Sequence, residues 1–143
     1  MYSVKILGTP DINWVSQKNE NVLTLQAPRD FVVYTKQVSF IEWDCLCETI
    51  NVVGIPFFDK KVEHKLSLYY PQGTFAITGN RKLQIAFVND TLETINIKQG
   101  CLLCYVKFET IEFFKLASRH NNSDKGLRSA RIKIVFNNGK NCN

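Results

Sequence analysis

Apolar and polar residues alternate along most of the chain with a period of two, the signature of half-buried strands. Residues 3–7 read Ser-Val-Lys-Ile-Leu and stop at Gly8-Thr9-Pro10-Asp11. Residues 22–26 (Val-Leu-Thr-Leu-Gln) repeat the pattern, with Ala27-Pro28-Arg29-Asp30 as a turn, and 31–35 are rich in Phe, Val, Tyr and Thr. The long run 39–53 sets Ile41, Trp43, Cys45 and Cys47 against Glu42, Asp44 and Glu48, and Gly54-Ile55-Pro56 is expected to end it. Further strands are predicted over 64–70, 74–78, 82–88, 93–97 and 101–108. They are separated by Pro71-Gln72-Gly73, Gly79-Asn80-Arg81, Asn89-Asp90 and Lys98-Gln99-Gly100. A last strand, 130–136, alternates Ile132, Ile134 and Phe136 with Arg131 and Lys133. Residues 109–119 also fit a short helix, and 118–126 form a polar loop. No repeat and no linker divides the 143 residues. Short strands at this spacing predict an all-β sandwich or barrel in a single domain, 1–143.

Composition sharpens that picture only in places. Hydrophobic residues make up 45%, with ten Phe, enough to build a core. No window holds 18 apolar residues, and the N-terminus lacks the apolar stretch of a secretory signal. The expectation is a soluble protein of an intracellular, reducing compartment. From Lys115 onward lie seven of the eighteen basic residues but only one of the thirteen acids, Asp124. The segment 115–143 is therefore basic while the body is close to neutral, a balance that suits a polyanion, an acidic protein or a solvated tail. Asn and Lys number 13 each and Ile 12, against five Ala. A/T-rich genomes, those of many viruses and of some parasites or bacteria, produce such usage.

Five Cys, at 45, 47, 101, 104 and 142, are an odd set for a disulfide framework. Cys101 and Cys104 stand three apart at the start of a strand, so they point to opposite faces and suit a shared metal poorly. Cys45 and Cys47 share a face with Trp43. Buried, reduced thiols are expected, with no metal and no cofactor.

The stretch from Leu83 to Phe108 reads Leu-Gln-Ile-Ala-Phe-Val-Asn-Asp-Thr-Leu-Glu-Thr-Ile-Asn-Ile-Lys-Gln-Gly-Cys-Leu-Leu-Cys-Tyr-Val-Lys-Phe. It resembles the trimeric dUTPase family, in which a strand ending in Phe-Asn or a similar pair leads through a polar hairpin to an Ile-x-x-Gly-(Asp)-Arg-Ile-Ala-Gln-Leu strand. Asn89, Ile97 and Gly100 are the shared positions. The resemblance implies a jelly-roll or dUTPase-like barrel and a homotrimer. It does not carry the catalytic residues across. The Arg-Ile-Ala-Gln signature falls on Leu102-Leu103-Cys104-Tyr105, the catalytic Asp on Ala76 and the deoxyribose-stacking Tyr on Gly79. No Gly-Arg-Ser-Ser phosphate motif precedes Tyr70, and the tail has only Gly126 and Gly139. Without that Asp nothing is placed to activate a water, and no acid cluster is placed for Mg²⁺.

Other chemistry is sparse. His64 and His120 are expected at the surface, and no nucleophile elbow, zinc-protease or Walker motif occurs. Lys125, Arg128, Arg131 and Lys133 form the candidate binding surface, able to neutralise phosphates or to protect an edge strand. Phe57 and Phe58, with Phe113 and Phe114, exceed what a small barrel needs; they read either as plain core or as the candidate oligomer interface. The expected protein is thus non-catalytic, a structural or assembly component acting as a homotrimer beside other structural proteins, in a viral capsid or virion. Two alternatives stand beside it. One is a nucleic-acid or acidic-protein binding module using the basic segment; the other is a divergent nucleotide enzyme. No membrane partner is expected.

Overall fold

The computed structural model describes residues 1–8, 14–71, 76–113, 115 and 132–137. Among them the strands are β1 (Ser3–Gly8), β2 (Val15–Asn19), β3 (Val22–Gln26), β4 (Phe31–Val33), β5 (Val38–Ile50), β6 (Val52–Phe57), β7 (Ser67–Tyr69), β8 (Asn80–Val88), β9 (Ile95–Ile97), β10 (Leu102–Thr110) and β11 (Lys133–Asn137). A helical turn opens at Ile111. A five-stranded sheet runs in the order β11-β1-β5-β8-β7, a four-stranded sheet in the order β2-β3-β10-β6, and β4 pairs with β9. All pairings are antiparallel except β1 with β11.

Alternation fixes which side of each strand is buried. Ile41, Trp43, Cys45 and Cys47 on β5 face inward with Val4 and Ile6 of β1 and with Leu83, Ile85 and Phe87 of β8. Leu23 and Leu25 of β3 and Cys104, Val106 and Phe108 of β10 meet them in the same cluster. The two larger sheets therefore close over one core. A polar contact bridges them: Trp43, 1% exposed, donates its Nε1–H to the Gln26 carbonyl at 2.8 Å. That bond satisfies the indole N–H in an otherwise apolar site.

Three strand expectations are corrected. The run 39–53 is two strands, because Asn51 takes a left-handed φ of 59° between β5 and β6. Asn tolerates that region better than most residues. Gly54 and Pro56 do not end a strand but sit inside β6, the edge of its sheet, where the missing Pro56 N–H costs no ladder bond. Gly54 is there for space. A Cβ at this position would lie 2.5 Å from Cε1 of Phe108 and 2.9 Å from Cγ1 of Val106. The strand expected over 64–70 shortens to β7, and β2 forms over residues whose polarity hides it, since three of its five positions are exposed.

Two turns repay their sequence signals. Gly100 has φ of 90° and donates its N–H to Ala27 O at 2.8 Å, while Ala27 N–H reaches Cys101 O at 2.7 Å. Asn89, with no solvent exposure, pins the other. Its Nδ2 donates to Val33 O at 2.9 Å and Glu93 O at 2.8 Å, and its Oδ1 accepts from Thr91 N–H at 2.9 Å and Thr91 Oγ1 at 2.7 Å. The whole hydrogen-bonding capacity of the buried amide is used.

Candidate binding cleft on the outer face of the five-stranded sheet

The register of the five-stranded sheet builds an aromatic row from residues far apart in sequence. Phe40 of β5 opposes Ala86 of β8, and Ala86 opposes Tyr69 of β7. Phe40 is one residue before inward-facing Ile41, so alternation points it outward, where it stays 50% exposed. Tyr69 and Tyr70 are also exposed. With Pro56, Ala76, Ile77, Arg81 and Gln84 they line a cleft of about 60 Å³. Partial burial holds the Tyr70 phenol above its ordinary pKa, so it is a neutral hydroxyl at physiological pH. Beside the cleft, Lys82 and Glu42 pair at 3.6 Å with both side chains exposed.

The described residues line the cleft for contact. It offers apolar and aromatic contact, the Arg81 cation and the Gln84 amide. No Asp or Glu occurs from Tyr70 to Arg81. Ala76, aligned by the resemblance with a catalytic Asp, lines it with a methyl group. Gly79, aligned with the stacking Tyr, makes a turn instead, with φ of 82°. Its N–H donates to Thr49 Oγ1 at 2.8 Å and its carbonyl accepts from Thr49 N–H at 2.9 Å.

The other sequence candidates scatter. Lys133 is exposed on β11 at the sheet edge, whereas Lys125, Arg128 and Arg131 lie outside the described residues. Phe57 stacks on Tyr105 with ring centroids 5.4 Å apart, and Lys18 covers the Tyr105 ring at 4.0 Å while meeting Asp59 at 3.4 Å. Phe58 turns the opposite way, half-buried against the core, 6.5 Å from Phe87. Phe113 is half-buried in the helical turn, its N–H donating to Thr110 Oγ1 at 3.0 Å, and Phe114 lies outside the described residues. The structure thus separates Phe57 from Phe58 rather than joining them in one patch.

His64 corrects the expectation of a surface histidine. Leu66 N–H donates to its Nδ1 at 3.1 Å, so Nε2 carries the proton and donates to Leu103 O at 2.8 Å. The ring packs edge-on to Phe58 and Phe87. Burial holds its pKa below the ordinary value, against the Leu103 carbonyl, which favours the charged form. The cysteines behave as small apolar residues. Burial, with the Asp44 charge behind it, pushes Cys45 up to about 11. Cys47 rises to about 12, mainly through burial, with Arg81 opposing. Burial also raises Cys104. Cys101 is half-buried and raised by burial and by Glu63, and Cys142 lies outside the described residues. No group of three His, Cys, Asp or Glu residues gathers for a metal among the described residues.

The alternation did not by itself mark Phe40, Tyr69 and Tyr70 as a group, although the outward position of Phe40 was implicit beside Ile41. Leu92 was also missed, at 90% exposure on the loop that Asn89 pins.

Neither a protein-family model nor a curated protein matches the chain. Among solved structures it is similar to the native dUTPase of EIAV, with a TM-score of 0.60 and 14% identity, over 87% of this chain and 96% of that one. At that identity the likeness speaks for architecture alone. The chain has a dUTPase-like, all-β jelly-roll fold.

Proposed function

We propose that this protein is a non-catalytic, homo-oligomeric assembly component built on a dUTPase-like barrel. The observation that carries the reading is the chemistry of the cleft. A hydrolase of the dUTPase kind needs a carboxylate to orient and deprotonate water. Here Ala76 stands where the resemblance puts that group, and the segment 70–81 has no acid at all. Exposed large apolar residues at Phe40, Tyr69, Tyr70 and Leu92 support a protein that works through contacts.

The trimeric state is what the resemblance implies, and the capsid or virion setting is motivated jointly by the barrel pattern, the vacant catalytic positions and the Asn-, Lys- and Ile-rich composition. The decisive experiment pairs a dUTP hydrolysis assay in Mg²⁺ with light scattering on the purified chain. The expected result is no turnover and a mass of three chains. Turnover that follows the protein through purification overturns the non-catalytic reading, and a monomer at all concentrations overturns the oligomeric one.

A further inference from the structure

Leu92 is almost fully exposed, yet its position is fixed. The buried Asn89 amide holds Val33, Thr91 and Glu93 around it. A leucine presented at this exposure on a pinned loop is a preorganised knob, with little ordering cost left on binding. Acids flank it: Asp90 and Glu93 are both exposed, and among the described residues neither carboxylate meets a cation within ion-pair distance. The cleft on the outer face of the five-stranded sheet is the converse. It is a small aromatic socket whose one charged lining residue is Arg81.

We propose that the Leu92 loop of one copy seats in the Phe40–Tyr69–Tyr70 cleft of the next, with Asp90 and Glu93 facing Arg81. This rests on the homo-oligomeric reading and names the contact behind it. A second copy is the occupant because knob and socket carry opposite charge on one chain, so a single contact satisfies both. The exposure of Leu92 excludes it from its own cleft. Since the two patches differ, the contact is head-to-tail, and such contacts close into rings when the rotation allows.

The test is the mass of the full chain by light scattering across a concentration series. It compares wild type, Leu92→Ser, Arg81→Glu, the pair Asp90→Lys with Glu93→Lys, and the triple charge reversal. All the changed side chains are exposed, and a thermal melt verifies that each variant folds. The expected result is that each of the first three variants dissociates at a concentration on the order of tenfold or more above wild type. The triple reversal recovers association. Mixing Arg81→Glu chains with Asp90→Lys/Glu93→Lys chains restores an association that neither variant shows alone, because each socket then meets a knob of opposite charge on the other variant. An oligomer indifferent to all these changes overturns this contact while the oligomeric reading stands. A wild-type chain that stays monomeric overturns both.

Discussion

The side-chain amide of Asn89 donates to the carbonyl of Val33 at 2.9 Å across the start of the β8–β9 loop, with no solvent exposure at the amide. Replacing Asn89 by Ala strands the carbonyls of Val33 and Glu93 and the amide of Thr91. The expected loss is roughly 2–4 kcal/mol, since buried unpaired polar groups forfeit their desolvation cost. Asn89→Asp should be worse, because a carboxylate in the same place would face two carbonyl oxygens. Urea unfolding of the three proteins checks both the size and the order.

Gly54 illustrates a constraint of space. Gly54→Ala drives a methyl into the Phe108 ring and should cost about 1–3 kcal/mol through overpacking. Phe108→Leu in the same chain removes the clashing ring atoms, so the double variant should be more stable than the sum of the single losses. Simple additivity in a double-mutant cycle would refute the steric account.

His64 gives stability a pH dependence of predictable sign. Its folded pKa lies below the unfolded value near 6.5, so between the two the unfolded chain binds more protons. Its contribution is complete above about pH 6.5 and declines as pH falls toward the folded value. The Leu66 N–H bond to Nδ1 is lost on protonation. A His64→Gln variant should therefore show a flatter stability profile between neutral and mildly acidic pH, measured by denaturant midpoints at each pH.

Thiol reactivity should divide the cysteines. Burial keeps Cys45, Cys47 and Cys104 protonated at pH 8, so native-state alkylation followed by peptide mapping should leave them unmodified. Cys101, half-buried, should react ahead of those three. In urea all five should label. Rapid native labelling of Cys47 would contradict its buried place on β5, between β1 and β8.

The basic segment calls for charge substitution rather than deletion. Ile132 is 1% exposed, and β11 covers the edge of β1. Deleting 125–143 should lower the melting temperature, with the loss of Ile132 alone worth roughly 2–5 kcal/mol. Neutralising Lys125, Arg128, Arg131 and Lys133 to Gln spares that packing. If the segment binds nucleic acid, the substitution flattens the salt dependence of binding while the melt stays near wild type.

Much of the fold was legible because alternation is a local property. Each inward residue of β5 and β8 could be read two positions from the last, and the turns at Asn89 and Gly100 carry residues whose side chain or backbone freedom serves that turn. The strand boundaries were less legible. Gly54 and Pro56 look like punctuation in sequence, yet one makes room for Phe108 and the other sits on an edge. His64 reads as a surface residue between Glu63 and Lys65, because its partners, Leu103 and Phe87, are far away in the chain.

The sequence by itself determined that the chain is a β-protein with a large apolar core and with no Asp or Glu between Tyr70 and Arg81. Tertiary structure alone decided which outward residues become neighbours. Phe40, Ala86 and Tyr69 come from three strands, and only the sheet register sets them in one row. The physical reason is that period two tells which face a side chain takes, whereas register and strand order, fixed by long-range packing, tell what stands beside it.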